Sequence, residues 1–228
     1  MNAELLIDHA WGWEPCTIAE VKAYKPENNS TSSGQVLQSP YPYDKALIVI
    51  KEMAELSTLD LVEKGLVTNQ IVLDIAYDVE NLKNGEKYTG EIVSDRYGRR
   101  APKPAHGTVN IGKYSSSTKE ITEKTVELFE RIVNKNLSVR KLSLICNHLI
   151  SETEVREADE QLSLFDDYEE LEKKRVRQLS ELEKEKKMQK AMLKIKGKYG
   201  KNAVIKGLDL QEGATTLERN SQIGGHKA

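Results

Sequence analysis

Residues 28–151 spell out an α+β domain: a split βαβ fold, with a four-stranded sheet carrying two helices on one face, followed by an extended helical tail. Three observations predict it. Two stretches of helical periodicity, 42–65 and 116–134, are each flanked by segments that alternate with a period of two. The order along the chain is therefore strand, helix, strand, strand, helix, strand. Beyond this domain the pattern dissolves into charge, with eight acidic and eight basic residues in 166–190.

Each element has its own signature. The polar, β-prone stretch "NNSTSSGQVL" (28–37) reads as an edge strand. In 42–65, Ala46, Ile50, Met53, Leu47, Ala54 and Leu61 recur at helical spacing, with Asp44 as the expected N-cap and Gly65 as the stop. "NQIVLDIAYD" (69–78) sets Ile71, Leu73, Ile75 and Tyr77 on one face of a strand. "GTVNIGKYSS" (107–116) alternates Val109 and Ile111 with Thr108 and Asn110. The second helix opens on a capping box, Ser117-x-x-Glu120, and carries Ile121, Thr125, Leu128 and Ile132 as its stripe. In "SVRKLSLICNHLI" (138–150), Leu142, Leu144 and Cys146 share one face, while Lys141, Ser143 and Asn147 share the other.

The helices are expected to bury the apolar parity of each strand. That leaves a second sheet face of small, polar and partly basic residues: Thr108, Asn110, Lys141, Ser143 and Ala76. A solvated face accounts for such a pattern. The same residue types also suit a surface laid along a phosphate backbone, where backbone amides must come close to the oxygens. The long insertion 79–106 carries "DRYGRRAPK" (95–103), with four basic residues and one acidic. Arg96, Arg99, Arg100 and Lys103 are candidate phosphate contacts, each adding about 0.7–0.9 to the salt slope of binding. A merely solvated loop is the other reading.

The rest of the chain excludes more than it assigns. Its 228 residues hold 34 basic and 36 acidic side chains, so overall charge does not argue for a nucleic-acid partner, although local basic patches do. Two cysteines and four histidines give neither a disulfide framework nor a metal-binding spacing. Cys146 is expected to be a buried thiol. No secretory signal or apolar membrane span is read, which implies a cytoplasmic setting. No phosphate-binding glycine loop, nucleophile elbow or paired buried carboxylates occur, so no catalytic residue and no metal ligand is assigned. Trp11 and Trp13 are expected to pack on a neighbouring element, in this chain or another. The charged helix beginning near 168 is expected to lead away from the domain into solvent.

One stretch fits none of these elements. "QLSLFDD" (161–167) places Leu162, Leu164 and Phe165 just past the folded domain, with no core of their own. Three further stretches give it a context. "DHAWGWEPCTIAEVKAYKPENNSTSSGQVL", "DRYGRRAPKPAHGTVNIGKYSSSTKEI" and "SVRKLSLICNHLI" resemble the C-terminal part of Y-family (UmuC/DinB-type) translesion DNA polymerases of Gram-positive bacteria. The terminal "RNSQIGGHKA" is similar to the end of the UmuC-like branch.

The resemblance implies a division of the chain into 1–27, the end of a thumb and a linker; 28–151, the little-finger DNA-binding domain; and 152–228, a clamp-binding motif with a charged helical tail. It implies primer–template DNA as a partner. The matching DNA contacts are Ser30, Ser32 and Ser33 on the first strand, Lys113 and Tyr114 on the third, and Arg140 and Lys141 on the last. Strand parity favours Lys141, and Arg140 joins it only if it lies where the strand begins. QLSLF resembles the peptide by which bacterial replication and repair proteins hold the sliding clamp, with Gln161 at the rim and Leu162, Leu164 and Phe165 in an apolar pocket. A hydrophobic staple for the following helix is the other reading. The family's catalytic carboxylates and their Mg²⁺ belong to a palm domain with no counterpart here. The chain is thus expected to need no cofactor of its own and to be inactive alone, with a separately encoded palm-and-fingers half as a candidate partner. A freestanding, non-catalytic clamp-binding protein is the alternative.

Overall fold

The computed structural model describes residues 7, 10–13, 16–24, 29–83, 88–94, 98–155, 168–223 and 226–227. Four long strands form the sheet: β1 (Thr31–Tyr41), β2 (Leu66–Tyr77), β5 (Ala105–Ser115) and β6 (Val139–Asn147). Their spatial order is β1-β6-β2-β5, and every neighbouring pair is antiparallel. A short β7 (Ile150–Ser151) pairs with Leu66 and Val67 at the start of β2. Helix α2 (Tyr43–Lys64) connects β1 to β2, which run parallel with β6 between them. Helix α3 (Thr118–Ile132) connects β5 to β6, which run parallel with β2 between them. Two split βαβ units are thereby interleaved, and each supplies the strand that splits the other.

Helix α2 ends where Gly65 adopts a left-handed conformation (φ 64°) and its N–H meets the carbonyls of Leu61 and Val62, as the sequence predicts. Its start differs. Pro42, not Asp44, takes the N-cap position, because the fixed proline φ already suits the residue before the first turn. Asp44 lies within that turn, where its charge complements the helix dipole. At the start of α3 the capping box is half formed. The Ser117 hydroxyl accepts from Glu120 N, but the Glu120 carboxylate takes the Ser115 hydroxyl at 2.6 Å instead of reaching back to Ser117.

The core lies between the sheet and the two helices. Val49, Ile50, Met53 and Leu61 of α2 meet Ile71, Leu73 and Ile75 of β2 and Leu142, Leu144 and Cys146 of β6, all fully buried. Ile121, Leu128 and Phe129 complete it from α3, and the Phe129 ring sits 5.2 Å from that of Tyr43. Gly107 sets how closely α3 can approach. A Cβ there would stand 2.8 Å from Ile132 Cγ2 and 2.9 Å from Leu128 Cδ1. Burial pushes the Cys146 thiol up to about 12, as a desolvated thiol requires.

The C-terminal third does not lead away as expected. Helix α4 (Tyr168–Tyr199) docks where it passes the start of α3. There Glu185 accepts from the Ser117 hydroxyl (2.7 Å) and from Lys119 N (3.1 Å), while buried Gln189 donates to Ser116 O and Thr118 Oγ1. Beyond α4 the chain returns across α2 to the short α5 (Thr216–Asn220). Glu52, only 1 % exposed on α2, accepts from Thr215 N (2.8 Å), Thr215 Oγ1 (3.0 Å) and Thr216 N (3.0 Å). These anchors are polar, so an apolar stripe too thin for a seam gave no hint of them. Near the other end lies a short helix, α1 (Ile18–Ala23), and Trp11 and Trp13 stand 87 % and 57 % exposed.

Candidate nucleic-acid interface

The sheet face turned away from α2 and α3 is ordered in rows across the strands. One row runs Ser32, Ile145, Val72, Thr108; the next runs Gly34, Ser143, Asp74, His106; a third runs Val36, Lys141, Ala76. At one end Asn147 Nδ2 donates to Gln70 Oε1 (3.1 Å), and Gln70 Nε2 donates to Asn110 Oδ1 (3.0 Å), an amide ladder over three strands. In the middle row Asp74 Oδ1 lies 2.6 Å from His106 Nδ1. The surface therefore mixes these polar groups with Val36, Val72 and Ile145, with its amides fixed in position and Gly34 leaving the backbone open to close approach.

The expected contact residues fall into distinct groups on this frame. Ser32, Thr108, Asn110 and Lys141 lie on the open face, and exposed Ser30 precedes β1 on the same parity. Ser33 has the opposite parity, across from Leu144 on the helix side. Lys113 and Tyr114 occupy an irregularity of β5 in which the register jumps from Gln70↔Asn110 to Thr68↔Ser115. Gly112 turns that segment with φ 90°, and Lys113 Nζ reaches Glu120 Oε1 at 2.7 Å.

Arg140 resolves the parity question. The register passes from Ala76↔Lys141 directly to Tyr77↔Val139, so Arg140 is the extra residue of a bulge where β6 begins. Its guanidinium donates to Gln38 O at 3.0 Å and stands 3.6 Å from Asp78 Oδ2. Lys141 beside it is exposed, and among the described residues its side chain has no hydrogen-bond or ion-pair partner.

The described parts of the insertion between β2 and β5 form regular elements. A 3₁₀ turn, Val79–Leu82, is stitched to the start of β6: Asn81 Nδ2 donates to Ser138 O (2.9 Å), and Ser138 N donates to Asn81 Oδ1 (2.8 Å). Strands β3 (Ile92–Ser94) and β4 (Arg100–Pro102) pair as a hairpin against it. Lys103 is held by Glu91 at 2.7 Å, and this hydrogen bond keeps its ammonium above the ordinary lysine value. Arg100 is exposed and, like Lys141, has no side-chain partner among the described residues. Between the hairpin and the end of the sheet runs a cleft of about 800 Å³, lined by Arg99, Arg140 and Lys141 together with Val79, Val93 and Ala101. Arg96 and the motif residues Gln161, Leu162, Leu164 and Phe165 lie outside the described residues.

Sequence reasoning passed over Gln70, Asp74, His106 and Gly34. Strand parity carried the signal for the first two, since both alternate with the buried Ile71, Leu73 and Ile75. The pairing that aligns His106 and Gly34 with them is a matter of register, which a single strand does not encode.

Two interleaved split βαβ units leave one face of the sheet covered by helices and the other open. Residues 28–164 match the impB/mucB/samB family C-terminal domain, and the chain belongs to that family, the C-terminal domain of Y-family DNA polymerases. No curated protein matches the chain. Among the described residues, no group of three or more His, Cys, Asp and Glu side chains is placed to hold a metal ion, and no helix is long and apolar enough to cross a membrane.

Proposed function

We propose that residues 28–151 are the little finger of a translesion DNA polymerase and hold primer–template DNA along the open sheet face. The supporting observation is the coincidence of family membership over 28–164 with an open face whose amides are braced and whose exposed cation Lys141 has no side-chain partner among the described residues. On this reading Lys141 and Arg100 contact phosphates, together with Arg99 and Arg96 of the insertion. Ser30, Ser32, Thr108, Asn110 and backbone amides lie close to the groove, where such contacts fix register without reading sequence. Arg140, already bound to Gln38 O, shapes the bulge that presents Lys141 and adds field rather than a new bond. Ser33, Lys103, Lys113 and Tyr114 are secondary.

Residues 1–27 would then lead in from a thumb, and 152–228 would carry the clamp tether and its tail. Polymerisation, with its Mg²⁺, belongs to a palm-and-fingers half. In the sequence Gln161, Leu162, Leu164 and Phe165 fall between β7 and α4. Burying one Leu or Phe in a clamp pocket contributes about 1.5–3 kcal/mol before ordering costs, giving the modest affinity that suits a tether.

The test is a pair of titrations: fluorescence anisotropy against a primer–template duplex, and calorimetry against a bacterial sliding clamp. Binding to both is expected, with Leu164→Ala plus Phe165→Ala abolishing clamp binding alone. Clamp binding without DNA binding would replace this reading with that of a freestanding clamp-binding protein.

A further inference from the structure

The cleft beside the hairpin differs chemically from the open face, although Lys141 belongs to both. Its lining includes an apolar group: Val79 in the 3₁₀ turn, Val93 on β3 and Ala101 on β4, with Pro40, Pro102 and Pro104 around them. Its rim carries Arg99, Arg140 and Lys141. Two acids also line it, and neither offsets that rim fully. Asp78 is nearly buried, accepts from Glu80 N at 2.8 Å and faces Arg140; Glu80 is exposed to solvent.

The bases of a duplex are paired and stacked on one another, so they offer such a cleft no free face. An unpaired base has an apolar face to lay on Val79, Val93 and Ala101 and a phosphate on either side for the cations. The volume, about 800 Å³, lies within the range of preformed small-molecule sites. The geometry points to a subsite for one unpaired nucleotide of a single-stranded extension, continuous with the duplex held on the open face. This rests on the DNA reading above and adds a preference to it: junctions of duplex and single strand over blunt duplex.

Two labelled DNAs test it, a blunt duplex and the same duplex with a five-nucleotide single-stranded extension, each titrated by anisotropy at fixed salt. The extended DNA is expected to bind about fivefold more tightly, a difference of about 1 kcal/mol. Ser94→Trp, which places an indole in the cleft from an exposed rim position, is expected to remove that increment and leave the affinity for blunt duplex unchanged. Equal affinity of the unmodified protein for the two DNAs would overturn the subsite while leaving the duplex reading standing. An increment that survives in Ser94→Trp would place the single strand elsewhere and overturn it too. Binding to neither DNA would bring down both readings together.

Discussion

The two sides of this domain treat polar residues in opposite ways. On the helix side, polar groups are spent inside the molecule. Glu52 is buried and takes three donors from the returning tail, Gln189 is buried and bridges to the start of α3, and Glu185 caps that helix from outside. On the sheet side, neutral polar groups brace one another through the Asn147–Gln70–Asn110 ladder, while Lys141 has no side-chain partner among the described residues. Buried polar groups must be satisfied internally or they destabilise the fold. An exposed cation left unmatched on an ordered surface carries no such penalty and remains available to an anion. The difference separates structural polarity from polarity held for a partner.

Substitutions break or sharpen that contrast. The largest effect is expected on the helix side. Glu52→Ala leaves two backbone donors of the tail without their acceptor and should cost about 2–4 kcal/mol, read as a lower urea midpoint. Faster cleavage of residues 200–222 by a protease should accompany it, with DNA affinity retained. Gly107→Ala comes next. The added methyl must displace Ile132 and Leu128 of α3, which should cost about 1–3 kcal/mol on the same scale.

Cys146 gives a smaller and pH-dependent signal. Its thiol is held neutral up to about 12 in the folded protein, against an ordinary value of 9.0, so unfolding favours ionisation. The stability linked to it is fully present below pH 9 and declines as pH rises from 9 towards 12. A thiol reagent at pH 8 should accordingly label exposed Cys16 at once and Cys146 only after denaturation. The smallest effect belongs to Lys103→Ala, which removes one exposed ion pair with Glu91 and should leave the urea midpoint unchanged.

Most of the fold was legible because periodicity reports burial. The α3 stripe of Ile121, Thr125 and Leu128 is buried as read, and the alternation through Leu142, Leu144 and Cys146 gave both faces of β6. Caps were less legible: Pro42 displaced Asp44, since a fixed φ sets a helix start as effectively as a side-chain acceptor does. The tail was misjudged because hydropathy weighs apolar area, whereas α4 docks through Glu185 and Gln189. Of the site, composition supplied the residue types and parity supplied Lys141. The bulge that places Arg140 beside it, and the rows that align Asp74 with His106, arise only from pairing between distant strands.

The most direct test reverses one charge on each side. Lys141→Glu on the open face and Lys124→Glu on exposed α3 alter net charge identically, and Lys124 sits in an ordinary surface pair with Glu127. Affinity for a primer–template duplex would be measured by anisotropy across a series of salt concentrations. Lys141→Glu is expected to weaken binding about tenfold and to flatten the salt slope by about one, with Lys124→Glu within twofold of the unmodified protein. Equal losses from the two variants, or no loss from Lys141→Glu, would contradict the assignment of the open face as the surface that holds DNA.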